Sequence, residues 1–182
     1  DPEEWSRACA SVGVEAPSDL WERLQELRLV RRDAETGRIG FVHGVLRETV
    51  LDRAQREGRL DAVHRGIAAS MTNPARQGLY LLNTDAWAEG AAQLLTEAER
   101  ASETSIRTAL RLLQLRDETL EERDPDDPAR IDGWIIASRI CRMASNARDA
   151  LRWARQAKRV ASEQRELRRA VVALQECAAA SR

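Results

Sequence analysis

The sequence predicts a mainly α-helical protein in which a small helix-and-hairpin module precedes an array of antiparallel helices. The first supporting observation is a stripe of small residues at helical spacing near the end of the chain. Because small side chains let two helix axes approach closely, this helix is expected to pack tightly against a neighbour. Trp153 and Val160 lie off the stripe and give a second apolar face, which favours a stacked array over a closed bundle. The stripe consists of Ala147, Ala150, Leu151, Ala154, Ala157 and Ala161.

The second observation is a repeated pattern. Residues 108–113 align with residues 149–154 at an offset of about forty positions, which is within the range of helical repeats. At the same offset, residues 94–95 align with residues 135–136. These matches favour a true repeat, and the alternative is an irregular all-helical domain.

The third observation is a hairpin signal in the first part of the chain. Two short β-prone runs, residues 29–32 and 38–42, flank a turn that contains Gly37. Helices are predicted before them, over residues 2–12 and from about residue 18. Helix, helix and hairpin in this order indicate a winged helix. The second of these helices is expected to direct Leu20, Leu24 and Leu27 into a core.

Two further helices complete the predicted first domain, over residues 44–57 and after Gly58. The inward residues expected on the first of them are Val45, Leu46, Thr49 and Val50, and those on the second are Leu60, Val63, Ile67, Ala68 and Met71. Asn73 and Pro74 mark a boundary. The sequence therefore predicts a winged-helix-like domain over residues 1–72 and a helical repeat domain over residues 73–182.

The predicted array begins with a short helix at about 74–82. Longer helices follow over 85–101, 105–122 and 128–144, with an acidic, proline-containing break at 123–128. The next two helices carry the alanine stripe and a last apolar stripe that includes Leu167, Val171 and Leu174. Because this last stripe has no following partner, the array is expected to continue beyond the C-terminal end.

Composition limits the classes of function. The chain has 182 residues and a net charge of −1, so no bulk field draws it to nucleic acid or to an anionic membrane. No apolar run reaches membrane-spanning length, and no signal peptide is recognised. Cys9, Cys141 and Cys177 each lie in an apolar helical pattern, which is typical of reduced, buried thiols. These features predict a cytoplasmic protein.

Signatures of catalysis are missing from the sequence. A phosphate-binding loop needs a Gly-Lys pair, whereas the single lysine, Lys158, follows Ala157. Two histidines and scattered cysteines do not make a metal-ligand set. No catalytic residue, metal or cofactor is therefore expected within these residues.

DNA binding is also disfavoured, although winged helices often bind duplexes. The candidate recognition helix carries Asp19, Glu22 and Glu26 against Arg23 and Arg28, so it offers no cationic face to phosphates. A packing role inside a larger protein is the preferred interpretation, and nucleic acid is not an expected partner.

Two segments resemble a known family. Residues 41–48, Phe-Val-His-Gly-Val-Leu-Arg-Glu, and residues 62–68, Ala-Val-His-Arg-Gly-Ile-Ala, are similar to the winged-helix end of bacterial STAND-class signalling ATPases. That module also occurs in multidomain Ser/Thr kinases and in transcription activators that carry such an ATPase. In those proteins tetratricopeptide-like (TPR-like) repeats follow, and the predicted array resembles them. The glycine and tyrosine of the strict repeat are missing here.

The resemblance implies a role for His43. In the family, the histidine at this position contacts the nucleotide phosphate in the closed, inactive state, so the winged helix acts as a latch. For His43 this implies contact with an ADP held by an upstream ATPase domain of the same chain, with ATP or ADP as the parent's nucleotide. The alternative is a histidine that caps the helix or packs between hairpin and helix.

The resulting functional hypothesis is a non-catalytic regulatory and protein-interaction module of a signalling ATPase. The array is expected to bind a protein or peptide partner and thereby bias the latch. Asp132, Arg139 and Arg142 share one polar face of the helix at 128–144 and are candidates for the partner-binding face. Whether that face lines a groove or the outer surface stays open. The alternatives are a ligand-sensing segment of a transcription regulator and a constitutive scaffold.

Overall fold

A computed structural model of the chain describes residues 2–11, 13–15, 17–35, 37 and 39–181. Within these residues it contains ten helices and one two-stranded antiparallel sheet, which confirms the prediction of a mainly α-helical protein with a short hairpin. Val12 and Arg38, which the sequence assigns to the first helix and to the second strand, lie outside the described residues. The chain forms two compact units, residues 1–90 and 91–182.

The first unit contains the hairpin and the five helices around it. Val30 pairs with Phe41 and Arg32 with Ile39, so the hairpin has the predicted position. Gly37 in the turn has a φ of +66°, a conformation that glycine adopts without steric cost. The elements are α1 (Pro2–Ser11), α2 (Leu20–Glu26), β1 (Val30–Arg32), β2 (Ile39–Phe41), α3 (Gly44–Arg56), α4 (Leu60–Ser70) and α5 (Pro74–Leu81).

Helix α4 is the centre of this unit because both α1 and α5 pack against it. A two-pronged ion pair joins α5 to α1: Arg76 donates from Nη1 and Nη2 to the two carboxylate oxygens of Glu4, at 2.7 and 3.0 Å. This hydrogen bonding lowers the pKa of Glu4. The predicted boundary at 72/73 falls between α4 and α5, two helices that pack together inside the first unit.

The prediction of the core of this unit is partly wrong, because several residues expected to face inward are exposed. Val45 and Val50 on α3 are 70% and 56% exposed, and Leu27 after α2 is 67% exposed. Thr49 on α3 and Val63 on α4 are exposed as well. Their helical spacing identifies an apolar face, but the main packing contacts of α3 in the described residues are with β2 and α4. The apolar face of α3 therefore points largely to solvent.

Gly90, in the first turn of α6 (Trp87–Ser102), allows a close approach to α5. A Cβ at this position would lie 2.8 Å from both the carbonyl oxygen of Gly78 and the amide nitrogen of Leu82. Real Cβ atoms do not approach backbone atoms so closely. An alanine here would thus force the two helices apart.

Gly90→Ala is expected to lower the free energy of unfolding by about 2 kcal/mol, measured by urea denaturation. At an uncrowded helix position, replacing glycine with alanine raises the free energy of unfolding by roughly 1 kcal/mol. A decrease for Gly90→Ala would therefore show that the Cβ meets the backbone of α5. Gly44→Ala at the start of α3 is the matched control, because a Cβ there meets nothing within 4 Å. Equal stability of the two variants would contradict the predicted contact.

The second unit contains most of α6 and four further helices, α7 (Ile106–Arg123), α8 (Ala129–Met143), α9 (Ala147–Glu163) and α10 (Leu167–Ala180). Side-chain oxygens of Ser105 and Asn146 accept hydrogen bonds from first-turn amides and cap α7 and α9. Helix α8 packs against α7, α9 and α10, and α9 also packs against α10. Short connections make consecutive helices antiparallel.

Most of the alanine stripe of α9 packs as predicted, but its first residue, Ala147, is exposed. Ala150, Ala154, Ala157 and Ala161 are fully buried. Ser138 on α8 donates a hydrogen bond from Oγ to the carbonyl oxygen of Ala150 at 2.8 Å, which requires the two helices to lie close together. Trp153 and Val160 are partly buried against the core of the unit, so the predicted second apolar face is confirmed.

Helix α7 repeats the buried pattern of α9 at the predicted offset of about forty residues. Ala109, Leu113 and Leu120 occupy the places of Ala150, Ala154 and Ala161, and all are buried. The last apolar stripe, on α10, is exposed at Leu167, Val171 and Leu174.

Candidate interaction cleft

A cleft of about 590 Å³ lies between α7 and α9, with α8 as its floor. All of its lining residues belong to the second unit. Its apolar part is formed by Leu110, Leu113, Trp134, Ala137, Cys141 and Trp153, and its polar part by Arg107, Arg111, Gln114, Asp117, Glu118, Asp149 and Arg152. We refer to it as the α7–α9 cleft.

Trp134 is the fixed part of the floor. Its indole is 4% exposed and donates a hydrogen bond from Nε1 to Oδ2 of Asp117 at 3.1 Å. The other carboxylate oxygen of Asp117 accepts from Nε of Arg130 at 3.0 Å. The Arg130 guanidinium also lies 5.1 Å from the centre of the Trp134 ring, a cation–π contact. The indole is thus held from two sides, and the charge of Asp117 is already compensated.

Trp153 forms part of the cleft wall on the α9 side. It is only partly buried, and the guanidinium of Arg152 lies 5.0 Å from the centre of its ring. Arg152 also approaches Asp149 at 3.4 Å. This wall therefore combines an accessible aromatic surface with a positive charge directly above it.

A buried cation lies against the floor. Arg116 is 2% exposed, donates from Nε to the carbonyl oxygen of Ala91 at 3.0 Å and from Nη2 to that of Ala129 at 2.9 Å. Its Nη1 would lie 2.7 Å from a Cβ on Gly133, a residue that lines the cleft, and has no hydrogen-bond partner among the described residues. Burial lowers the pKa of this guanidinium, while Asp132 and Asp117 act in the opposite direction.

Charge is distributed unevenly along the cleft. Because α8 is antiparallel to both neighbours, α7 and α9 begin at the same end. Arg107 and Arg111 lie near the start of α7, and Arg152 lies near the start of α9. Asp149 at the same end offsets one of these charges, so this end is basic on balance. Glu118 lies further along α7, near the other end. The positive ends of two helix dipoles add to the basic end.

The basic surface continues over the outside of α9. Four arginines lie on its solvent-exposed face, opposite the alanine stripe, at positions 148, 152, 155 and 159. Asp149 and Glu163 approach two of them, Arg152 and Arg159, at 3.4 and 3.7 Å. Arg148 and Arg155 form no ion pair within the described residues.

The sequence-predicted partner face lies elsewhere, between α8 and α10. Asp132 accepts a two-pronged ion pair from Arg169 at 2.8 and 3.0 Å, which raises the pKa of Arg169. Arg139 donates from Nε to Glu176 at 2.7 Å, and Arg142 approaches the same carboxylate at 3.7 Å. All three predicted residues are thus brought together on one face, where they connect α8 to α10. Their role in partner binding stays a prediction.

His43 precedes α3 in an extended conformation, with φ −120° and ψ 128°. Its imidazole is exposed and makes no capping hydrogen bond to the helix. His43 caps α3 through its main chain only, since its carbonyl oxygen accepts a hydrogen bond from the amide of Leu46 at 3.1 Å. Contact of His43 with a nucleotide phosphate stays a prediction.

Cys141 is the cleft residue most suggestive of chemistry, yet its surroundings oppose reactivity. It is 2% exposed, and burial together with the nearby Asp149 raises the pKa of its thiol. A thiol with a raised pKa is a poor nucleophile at neutral pH. Among the described residues no group of three or more His, Cys, Asp or Glu side chains is placed to hold a metal ion.

Sequence reasoning missed the α7–α9 cleft, although part of its signal was present. The second apolar face of α9 pointed to a neighbour on the α7 side, but the spacing does not say that the neighbour leaves a gap.

In the described residues, none of the helices is long and apolar enough to cross a membrane. Comparisons with protein-family models, curated proteins and solved structures gave no significant match.

Proposed function

We propose that this chain is a non-catalytic regulatory and protein-interaction module whose second unit binds a protein segment in the α7–α9 cleft. The observation that carries the proposal is the pairing of two tryptophans, one fixed in the floor and one accessible in the wall, with arginines at the rim. Tryptophan and arginine are the residue types most enriched where protein partners bind most strongly.

The geometry favours a protein segment over a small ligand. The cleft is bounded by three helices and is continuous with the exposed arginine face of α9, so its polar contacts extend beyond the volume of a small molecule. Helices bind one another by placing apolar side chains into such grooves. A cleft of this size also falls within the range of small-molecule sites, which makes a ligand sensor the second outcome to test.

The wider role follows from the resemblance to STAND-class signalling ATPases. In this proposal residues 1–72 form the winged helix that latches the nucleotide state through His43, and residues 73–182 form a TPR-like array that receives the signal. The hairpin before His43 and the buried small-residue stripe of α9 support this assignment. The exposed apolar face of α3, which includes Val45 and Val50, would then meet the upstream ATPase domain.

A peptide-display selection against the whole chain tests the proposal. Selected peptides are expected to bind with dissociation constants of about 1–100 μM, typical of a short segment with a few anchors. Trp153→Ala should weaken that binding at least about tenfold, since it removes the accessible aromatic wall. Leu167→Ala on α10, which also removes an exposed apolar side chain, is the matched control and should leave binding unchanged.

Two results would contradict the proposed function. Selection could yield no peptide that binds in solution, or the selected peptides could bind Trp153→Ala and the unchanged chain equally well. A small metabolite that binds the cleft and excludes every peptide would support the ligand-sensor alternative instead.

A further inference from the structure

We infer that the segment bound in the α7–α9 cleft is an acidic amphipathic one, with apolar anchors against the two tryptophans and carboxylates beside Arg107, Arg111 and Arg152. This inference rests on the proposed function and specifies the chemistry of its partner.

The first argument is the state of the charges that line the cleft. Each of the three acids already has a partner: Asp117 accepts from Arg130 and Trp134, Glu118 accepts from Gln114 at 2.7 Å, and Asp149 accepts from Asn146 at 2.7 Å. Arg107 and Arg111, by contrast, form no ion pair or side-chain hydrogen bond within the described residues. The charges left available to a partner are therefore positive.

The second argument is the position of those charges relative to the apolar surface. Leu110 lies about one helical turn after Arg107 and immediately before Arg111, and it lines the same cleft. Across the cleft, Arg152 precedes Trp153. A side chain that reaches Leu110 and Trp153 thus brings its neighbours on the chain within range of three guanidinium groups, which bind carboxylates through two parallel hydrogen bonds.

The third argument fixes the orientation of the charges along the segment. Glu118 lies toward the opposite end of the cleft from Arg107 and is exposed. A second group of carboxylates there would be repelled. The bound segment is accordingly acidic at the end beside Arg107 and Arg111, and neutral or basic at the end beside Glu118.

A nucleic acid is the competing occupant, because four arginines follow one face of α9. Phosphates would be satisfied by those arginines alone, but they would leave the accessible apolar surface of Leu110 and Trp153 uncovered. A polyanion laid along the cleft would also meet Glu118. An apolar cleft with a basic end fits an acidic protein segment better than a uniformly charged backbone.

The test uses two blocked helical peptides of about 15 residues, long enough to populate a helix. Both carry the same leucine and phenylalanine anchors at helical spacing and lack tryptophan. One has glutamates and the other lysines beside the anchors. Binding to the whole chain is followed through its own tryptophan fluorescence, at low and at high salt.

The glutamate peptide is expected to bind about tenfold more tightly than the lysine peptide at low salt, and the difference should shrink at high salt. In the double variant Arg107→Glu, Arg111→Glu the preference should reverse. The double variant Arg165→Glu, Arg168→Glu makes the same change of charge on exposed residues near the start of α10 and should keep the original preference.

Equal binding of the two peptides, unaffected by the Arg107→Glu, Arg111→Glu change, would overturn the inference while leaving the proposed function intact. Failure of both peptides together with an unsuccessful display selection would count against the proposed function itself. Displacement of the glutamate peptide by a DNA or RNA oligonucleotide at micromolar concentration would overturn the inference in favour of a nucleic-acid site.

Discussion

Replacing Arg116 with alanine is expected to lower the free energy of unfolding by about 3 kcal/mol. The substitution removes two hydrogen bonds, to the carbonyl oxygens of Ala91 on α6 and Ala129 on α8, and leaves a cavity where three helices meet. Relief from burying a charge acts in the opposite direction. The loss should dominate because the surrounding helices are fixed by their own backbone hydrogen bonds and cannot collapse into the space.

A second substitution separates the loss of side-chain volume from the loss of charge and hydrogen bonds, and a third serves as the control. The free energy of unfolding of each variant is measured by urea denaturation. Arg116→Met keeps most of the side-chain volume but no charge or donor, so it should lose about half as much as Arg116→Ala. Arg111→Ala on the exposed face of the same helix should change stability by no more than about 0.5 kcal/mol. A change that small for Arg116→Ala would contradict its role in joining α6, α7 and α8.

Ala157→Leu is expected to cost about 3 kcal/mol, because Ala157 is fully buried within the α8–α9–α10 core. The larger side chain would have to displace α8 or α10, whose distances from α9 depend on small residues. Leucine favours the helical conformation about as well as alanine, so the change in intrinsic propensity is minor.

Lys158→Leu is the matched control for Ala157→Leu. It places the same side chain one position further along α9, where residue 158 is exposed, and should change the free energy of unfolding by no more than about 0.5 kcal/mol. If Ala157→Leu were tolerated as well as Lys158→Leu, the close packing of α9 would be contradicted.

The elements could be predicted from the sequence because their signals are local. Gly37 between two β-prone runs located the hairpin, and the alanine spacing of α9 identified its buried face. Such patterns depend on neighbours within a few residues, which the sequence displays directly.

Contacts over longer distances could not be predicted in the same way. Arg116 follows Arg107 and Arg111 on the same helix and looks in the sequence like another solvated arginine, yet it is buried. Nothing local indicates that Gly133 leaves room for its guanidinium. Likewise, the polar face of α8 was visible at Asp132 and Arg139, but not the ion pairs that these residues make with α10.

The exposed apolar residues of α3 also show that local spacing does not determine burial. Val45 and Val50 have the spacing of a core face, and an apolar pattern identifies such a face without showing what covers it. Because Val45 and Val50 are exposed, they could be buried only by a surface that is not among the described contacts of α3. The candidate cleft was missed for a related reason, since its walls come from helices about forty residues apart.

The most direct test of the interaction cleft is a ¹⁵N NMR titration of the chain with the glutamate peptide, following the indole N–H signals. The indole signals of Trp134 and Trp153 are expected to shift together with one dissociation constant, while those of Trp5 and Trp21 in the first unit stay in place. Shifts confined to Trp5 and Trp21, or saturation without movement of Trp134 and Trp153, would show that the segment binds elsewhere and would contradict the assignment of the α7–α9 cleft.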